Sequence, residues 1–403
     1  MAGTRDEGTM TLQSIFADLH IHIGRTKNNL PVKITAARNM TFDQIIRESY
    51  HRKGLQMIGI IDAHSPPVQY EILEGLQSGL FREHPDGGIV YQHTTCILGT
   101  EIEIKEPGMG ACHVLVFLPT LSHMISFTEW LAKYMKNVQL STQRLYRPVS
   151  ALQEKVMELE GLIIPAHVFT PFKSVYGSAT DRLSQLFDTD CVAGVELGLS
   201  SDSDLADCLS ELHSFTFVTN SDAHSIPKIG REYNELWVKE ASFQELMRAL
   251  MRQDGRKVVA NYGLNPRLGK YYRTRCLKCE ELWPIDPEVT RCPYCGSEKQ
   301  VKGVRDRIME LADQEMSHPD HRPPYIHQVP LEYIPKLGKK MLEKLLEAFG
   351  TEMNILHHAS LEDIAKVANE QIAYHIGLAR EQRLEFEEGG GGTYGKVKQA
   401  KNT

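Results

Sequence analysis

Ser14-Ile15-Phe16-Ala17-Asp18-Leu19-His20-Ile21-His22 carries the first structural decision in the chain. The run is apolar and strand-like until its end, where Asp18, His20 and His22 alternate. Side chains two apart on a strand share a face, so the two imidazoles can reach one ion. Buried strands that deliver polar groups at their C-terminal ends are the working parts of α/β barrels.

Working outward, further short apolar runs lie at residues 57–62, 96–104, 112–118, 162–167, 192–197 and 215–220. Amphipathic segments of helical length, at 41–53, 127–136, 151–160, 180–187 and 202–213, separate most of them. This alternation predicts an α/β architecture, closed or nearly closed. One connection differs: Glu101 to Phe117 alternates on both sides of Glu106-Pro107-Gly108-Met109-Gly110, a hairpin that folds His113 back towards Glu101 and Glu103. A helix over 242–253 and the stop signal Asp254-Gly255 close a first domain at residues 12–260.

Four strand ends carry donor groups: His20 and His22, Asp62 and His64, His167, and Asp222 and His224. A lone histidine more often caps a strand or satisfies the backbone, but a set that recurs at strand ends points to one site. Histidines 51, 84, 93, 123, 213, 318, 321, 327, 357, 358 and 375 lack that context and read as solvated or structural. Mixed imidazole and carboxylate donors suit zinc, manganese or iron, with magnesium a further possibility, and Glu101 could bridge two ions. Two ions about 3.5–4 Å apart can lower the pKa of a shared water and clamp a phosphate oxygen, which makes phosphoester hydrolysis the expected reaction. Within Ile61-Asp62-Ala63-His64-Ser65 spacing leaves two candidates; His64 is favoured as ligand with Asp62 as its support. Glu103 is the fallback for Glu101 if the hairpin register differs.

At these residues, over about 15–261, the chain resembles the polymerase and histidinol phosphatase (PHP) family. The resemblance implies a PHP-type distorted (β/α)7 barrel and a phosphoesterase centre of two or three divalent ions. His20 and His22 match the family's opening His-x-His, Glu101 its bridging carboxylate, His113 and His167 the next ligands, and Asp222 and His224 the closing Asp-x-His. Residues 23–30 hold no histidine or aspartate where three-metal members place a further ligand, so a third ion would rest on His64 and His224. Arg231, just after the closing motif, is a candidate phosphate clamp and is grouped with His20, His22, Glu101 and Asp222 as catalytic.

Cys276-x-x-Cys279, twelve residues, then Cys292-x-x-Cys295 fits a closed four-thiolate zinc site in a small domain at residues 261–316. Two disulfides would need an oxidising compartment, for which the sequence gives no sign. The scattered Cys96, Cys112, Cys191 and Cys208 read as buried thiols. Seven bases and no acid lie between Arg256 and Lys278, with Tyr262, Tyr271 and Tyr272 interleaved. That mixture suits a nucleic-acid backbone, with Arg267, Lys270, Arg273 and Arg275 as contacts; its alternative is a solvated face.

A polar linker at 317–324, expected to be exposed, leads to a helical domain at 325–385. There Ile334-Pro335-Lys336-Leu337-Gly338-Lys339-Lys340 resembles a helix-hairpin-helix turn, in which Gly338 and Lys339 would meet a DNA phosphate. Lys336 stands where such turns place a second glycine. Gln382-Arg383-Leu384-Glu385-Phe386 loosely resembles a sliding-clamp binding peptide ahead of a flexible tail at 386–403.

The 403 residues are 41% hydrophobic and 24% charged, ordinary for a globular protein, and the net charge of −7 argues against generic polyanion binding. No secretory signal and no long uncharged apolar run occurs, which predicts a cytoplasmic protein without a membrane span. Over about 15–377, the order of barrel, cysteine ribbon and α-helical C-terminal domain resembles the DNA-repair endonucleases of the PHP family. This implies a substrate of DNA containing deaminated bases (uracil, hypoxanthine, xanthine) or abasic sites, cut on the 5′ side to leave a 3′-hydroxyl and a 5′-phosphate. The loop Phe169-Thr170-Pro171-Phe172-Lys173-Ser174-Val175-Tyr176-Gly177 could line a pocket for the flipped base. The rival readings are a small-molecule phosphatase on the same barrel and a non-catalytic nucleic-acid-binding protein.

Overall fold

In the computed structural model, residues 11–284, 286, 289–387 and 396–397 are described. The opening run forms β1 (Gln13–Ile21), buried from Ile15 onward. It pairs in parallel with β2 (Met57–Ile60), which pairs in parallel with β3 (Thr94–Ile104). The expected hairpin follows, β3 lying antiparallel to β4 (Cys112–Leu118) with Glu103 opposite His113, and β4 lies antiparallel to β5 (Leu162–Pro165).

Closure uses very short strands. Ala193 N donates to Ile163 O and Val168 N to Glu196 O, joining β5 to β6 (Val195–Glu196), which pairs in parallel with β7 (Phe217–Val218). The chain beyond β7 returns to β1 through a bridge between Ile21 and Ala223, with His22 N to Ala223 O at 3.0 Å and Ala223 N to His20 O at 3.1 Å. The result is a distorted seven-stranded α/β barrel.

Alternation decides what each strand face packs against. Leu19, Ile97, Leu115, Phe117 and Ile164 gather in one apolar cluster. Ile58, Leu98, Val114, Val116 and Ile163 join the other, with Ile45, Ile72, Phe127 and Val156 from the surrounding helices.

Several local expectations are corrected. Residues 41–53 form a helix at Phe42–Glu48, capped by the Thr41 hydroxyl, then one wide turn at Ser49–Lys53 that stops at Gly54 with φ 81°. Residues 180–187 and 202–213 yield only short turns, Leu183–Gln185, Ser203–Ala206 and Ser210–Ser214. At 202–213 the helical ladder meets a competing partner, since the Asp207 carbonyl accepts from Gln314 Nε2 at 2.8 Å; the buried Asp207 carboxylate accepts from Arg322 Nε and Nη2, both at 2.9 Å, and from His318. The same contacts correct the exposed linker: residues 317–318 are open, but the Arg322 side chain is buried over the Phe217 ring.

Three further strands extend the sheet outward from β1: β8 (Tyr233–Val238), β9 (Lys257–Gly263) and β10 (Tyr325–His327). The boundary expected at 260 therefore falls inside β9, and 325–327, assigned to the helical domain, are the edge of the barrel's sheet. The ribbon hairpin, Arg275–Cys276 with Gln300–Val301, stands between β9 and β10 and is followed by a helix at Val304–Leu311.

The C-terminal helices, Lys339–Phe349, Glu352–His357, Leu361–Val367 and Glu370–Arg380, dock on the barrel. Lys53 Nζ meets the Glu352 carboxylate at 3.0 Å, and the His357 ring stacks on Phe16 at 4.5 Å while its Nε2 lies 2.7 Å from Tyr233 Oη. The expected flexible tail lies outside the described residues except at 386–387 and 396–397, and these pair with one another. The clamp-like peptide is engaged by its own protein: Gln382 Oε1 accepts from His327 N and Leu384 is buried. Among the described residues no helix is long and apolar enough to cross a membrane.

Candidate metal centre

The donor side chains converge at one end of the barrel because strand ends and the first residues after them deliver each one. His20 and His22 leave β1, Glu101 stands in β3 and His113 in β4; His167, Asp222 and His224 follow β5 and β7. Three overlapping triads result: His20 with His22 and Glu101, Glu101 with His113 and His167, and His22 with Asp222 and His224. His167 and Asp222 hold φ of 30° and 46°, in the left-handed region that few non-glycine residues adopt. That local strain is maintained by the surrounding structure, as is common where side chains are aimed for function.

Distances test whether ions fit. His20 Nε2 lies 3.4 Å from Asp222 Oδ1 and 3.7 Å from Glu101 Oε1, and His22 Nε2 lies 3.6 Å from both Asp222 Oδ1 and Glu101 Oε2. Ligands about 2.1 Å from a tetrahedral ion are separated by about 3.4 Å, so these spacings are those of ligand edges rather than good hydrogen bonds. His20 Nε2 is also buried without a hydrogen-bond partner, a costly state for a polar atom that an ion would relieve. On the second triad, Glu101 Oε1 lies 2.9 Å from His113 Nδ1 and 3.4 Å from His167 Nε2. The residues present fit divalent ions.

A second layer fixes the rings. The Glu196 carboxylate lies 3.0 Å from His20 Nδ1, and also accepts from His167 N at 2.8 Å and Asn220 Nδ2 at 2.7 Å. Asp62 Oδ2 lies 3.1 Å from His22 Nδ1 and accepts from Ile23 N at 2.7 Å. This corrects the expected role of His64, whose Nδ1 is bound to Thr100 Oγ1 at 2.7 Å and whose Nε2 faces Leu140 O at 3.3 Å. His64 is outside all three triads, and Asp62 supports His22 rather than His64. Glu103, the fallback carboxylate, is taken by Arg144 and Lys173.

The charge balance follows the same contacts. Burial would raise the Glu101 carboxyl, but His113 and Lys33 hold it well below the usual range. Burial and the neighbouring Lys33 push His22 down to about 4, whereas Glu196, Asp222 and Glu101 outweigh burial at His20 and hold it up to about 10.

Sequence reasoning missed Glu196, Lys33 and Thr142. Glu196 is the last residue of β6, one short of the end of the apolar run 192–197 and near the kind of strand end that revealed the histidines. Lys33 and Thr142, both bonded to Glu101, come from loops and carry no such signal.

A cavity of about 790 Å³ opens over the donors, lined by Lys33, Lys173, Lys228, Arg231, Lys270 and Tyr271 among others. Arg231 is buried, with Nε donating to Ser221 O at 2.8 Å. From the loop 169–177, Phe169 and Tyr176 stack in the core, whereas Phe172 is exposed on the rim, edge-on to Tyr271.

The basic stretch is divided. Lys270 reaches the cavity and Arg267 is exposed. Arg256 is buried against Glu245, Arg273 lies 3.6 Å from Asp306, and Arg275 donates to Glu280 O. Cys276, Cys279, Cys292 and Cys295 bring their sulfurs within 4.8 Å of one another, with closest pairs at 3.5 and 3.6 Å and no disulfide. Sulfurs about 2.3 Å from one zinc would be about 3.8 Å apart, so the set fits that ion. At the helical turn, Lys336 adopts φ 65°, the conformation a glycine would favour, and exposed Gly338 caps the exposed start of the helix at Lys339.

Comparison with known proteins adds identity. The profile of a family described as PHP-associated matches residues 202–254. The lesion-specific endonuclease PfuEndoQ of Pyrococcus furiosus superposes with a TM-score of 0.84, at 35% identity over 96% of this chain and 95% of that one. The chain belongs to the endonuclease Q family. A second endonuclease Q structure, a complex with a 27-mer duplex substrate carrying an abasic lesion at the active site, superposes with a TM-score of 0.83 at 34% identity, covering 96% of this chain and 97% of that one. Bacillus subtilis (strain 168) YqxK, described as uncharacterised, is 51% identical over 390 residues, 96% of this chain and all of that protein. As a member of the endonuclease Q family, the chain is a metal-dependent DNA nuclease.

Proposed function

We propose that this chain cuts a DNA strand on the 5′ side of a deaminated base (uracil, hypoxanthine or xanthine) or an abasic site, leaving a 3′-hydroxyl and a 5′-phosphate. The observation that carries the reading is the cluster of donor triads, most of whose members line the basic cavity, in a chain that shares its fold with an endonuclease Q bound to abasic DNA.

His20, His22, Glu101 and Asp222 would hold one ion and Glu101, His113 and His167 a second, while His22, Asp222 and His224 could hold a third. Zinc, manganese, magnesium and iron all suit such donors. Bound there, they would supply an ionised water near neutral pH and positive charge for the phosphate. Glu196 and Asp62 hold the Nδ1 atoms of His20 and His22, which would leave their Nε2 atoms for the ions. Arg231 and Lys270, which both line the cavity, would attract the strand. A structural zinc on the four cysteines would hold the ribbon, so that Tyr271 stays at the cavity rim beside Phe172, where an unstacked base could rest. Gly338 and Lys339 would meet a backbone phosphate at the exposed helix start, and Arg267, Arg273 and Arg275 would add charge.

The test is a nicking assay with the purified, manganese-loaded protein on duplexes containing deoxyuridine, deoxyinosine or an abasic site. Asp222→Ala should abolish the nick. Equal rates on damaged and undamaged duplex would refute lesion selection.

A further inference from the structure

Residues 23–30 bring no histidine or aspartate to the centre, yet the same loop delivers a positive charge a few residues later. Lys33 Nζ donates to Glu101 Oε2 at 3.2 Å and to Thr142 Oγ1, and its side chain is only 16% exposed. The backbone around it is fixed: Lys33 N donates to Ile23 O at 2.9 Å and Val32 N to Gly24 O at 3.0 Å. An ammonium carries three hydrogens. Glu101 and Thr142 take two, and Lys33 lines the same cavity as His22, Asp222 and Arg231. Of the other three lysines lining that cavity, Lys173 is drawn to Glu103 and Lys228 to Glu332. Lys33 Nζ is thus in direct contact with the carboxylate shared by two triads.

We propose that the Lys33 ammonium is a catalytic cation of this centre, held by Glu101 and Thr142 and presenting its third hydrogen to a non-bridging oxygen of the scissile phosphate. The proposal rests on reading the site as a phosphodiester-cleaving centre and adds a protein-borne charge to it. In the hydrolysis, the water oxygen bonds to phosphorus and the bond from phosphorus to the 3′ oxygen breaks. The bonding pair leaves on that oxygen, which ends with a proton derived from the water. Lys33 keeps its own protons throughout. It acts where negative charge gathers on the phosphoryl oxygens, in a partly desolvated position that strengthens the attraction.

The experiment compares full-length parent, Lys33→Met and Lys33→Arg, all loaded with manganese, on bis(4-nitrophenyl) phosphate. Removing one preorganised charge of this kind costs about 10²–10³-fold in kcat, so Lys33→Met should fall by that much while Lys33→Arg recovers at least about tenfold. Calorimetric binding of inorganic phosphate, read without turnover, should weaken by about tenfold in Lys33→Met, the worth of one modest charge-assisted hydrogen bond. Manganese per chain, measured by atomic emission, should match the parent. Parent-like kcat and phosphate affinity in Lys33→Met would overturn the proposal. So would a rate loss matched by lost manganese, since Lys33 would then act only through Glu101. A parent that cleaves the small diester but nicks no damaged duplex would refute the DNA reading and leave the Lys33 comparison standing.

Discussion

Glu196 shows how much a side chain can do at one remove from the chemistry. It binds a ring nitrogen of His20, the backbone at His167 and the amide of Asn220, and so links three strand ends. Carboxylates behind metal-binding imidazoles are worth about 10–100-fold in metal affinity, so Glu196→Ala should bind zinc towards the weaker end of that range and Glu196→Gln nearer the stronger. Zinc titration of the two variants against the parent checks this; parent-like affinity in Glu196→Ala would remove the role. His20, His22, His167, Asp222 and His224 were legible because alternation and strand ends are local signals, whereas Glu101 and His113 were reached through the hairpin and the family resemblance. His64 was misjudged for a reason of the same kind: Asp62 and His64 differ by two positions at a strand end, and only the fold shows that Thr100 and the Leu140 carbonyl claim the imidazole.

At the scale of elements, the turn before the helix Lys339–Phe349 holds a measurable cost. Lys336 sits at φ 65°, which disfavours an L side chain by about 1–2 kcal/mol. Lys336→Gly should therefore stabilise this part of the molecule by about 1 kcal/mol in a denaturant titration, less the entropy that glycine adds to the unfolded chain. Lys339→Ala should weaken binding to duplexes of any sequence and lower the slope of log affinity against log salt by about 1, as loss of one phosphate contact does. An unchanged slope would mean that the exposed turn does not touch DNA. The hairpin of β3 and β4 was readable because its turn and its alternation agree, although β3 starts at Thr94, ahead of the run at 96–104. β6 and β7 were overestimated, since an apolar run tells of burial but not of how many residues stay paired at a distorted closure.

For the whole molecule, the helical region and the barrel are one packed body. His357 stacks on Phe16 and reaches Tyr233, and Lys53 is buried against Glu352. A truncation ending at residue 262 would strip β10 from β9 and uncover these aromatics. It should give a poorly soluble barrel with a lowered unfolding midpoint, rather than a clean phosphoesterase that has merely lost its grip on DNA. A soluble fragment with the parent's midpoint would show the docking to be dispensable. Such pairings, Asn261 with Tyr325 above all, join residues 64 positions apart and leave no trace in local periodicity, which is why the sequence placed a domain boundary inside a strand.

The direction of that pairing has an engineering consequence. β9 and β10 run parallel, so the chain leaving Gly263 must travel back along the outside of the sheet before it can enter Tyr325. A tight turn cannot make that journey; parallel neighbours need a crossover of about a dozen residues or more. The ribbon is therefore an ornament carried on an obligatory return path, and an excised version will fold only if a span of that length is left in its place.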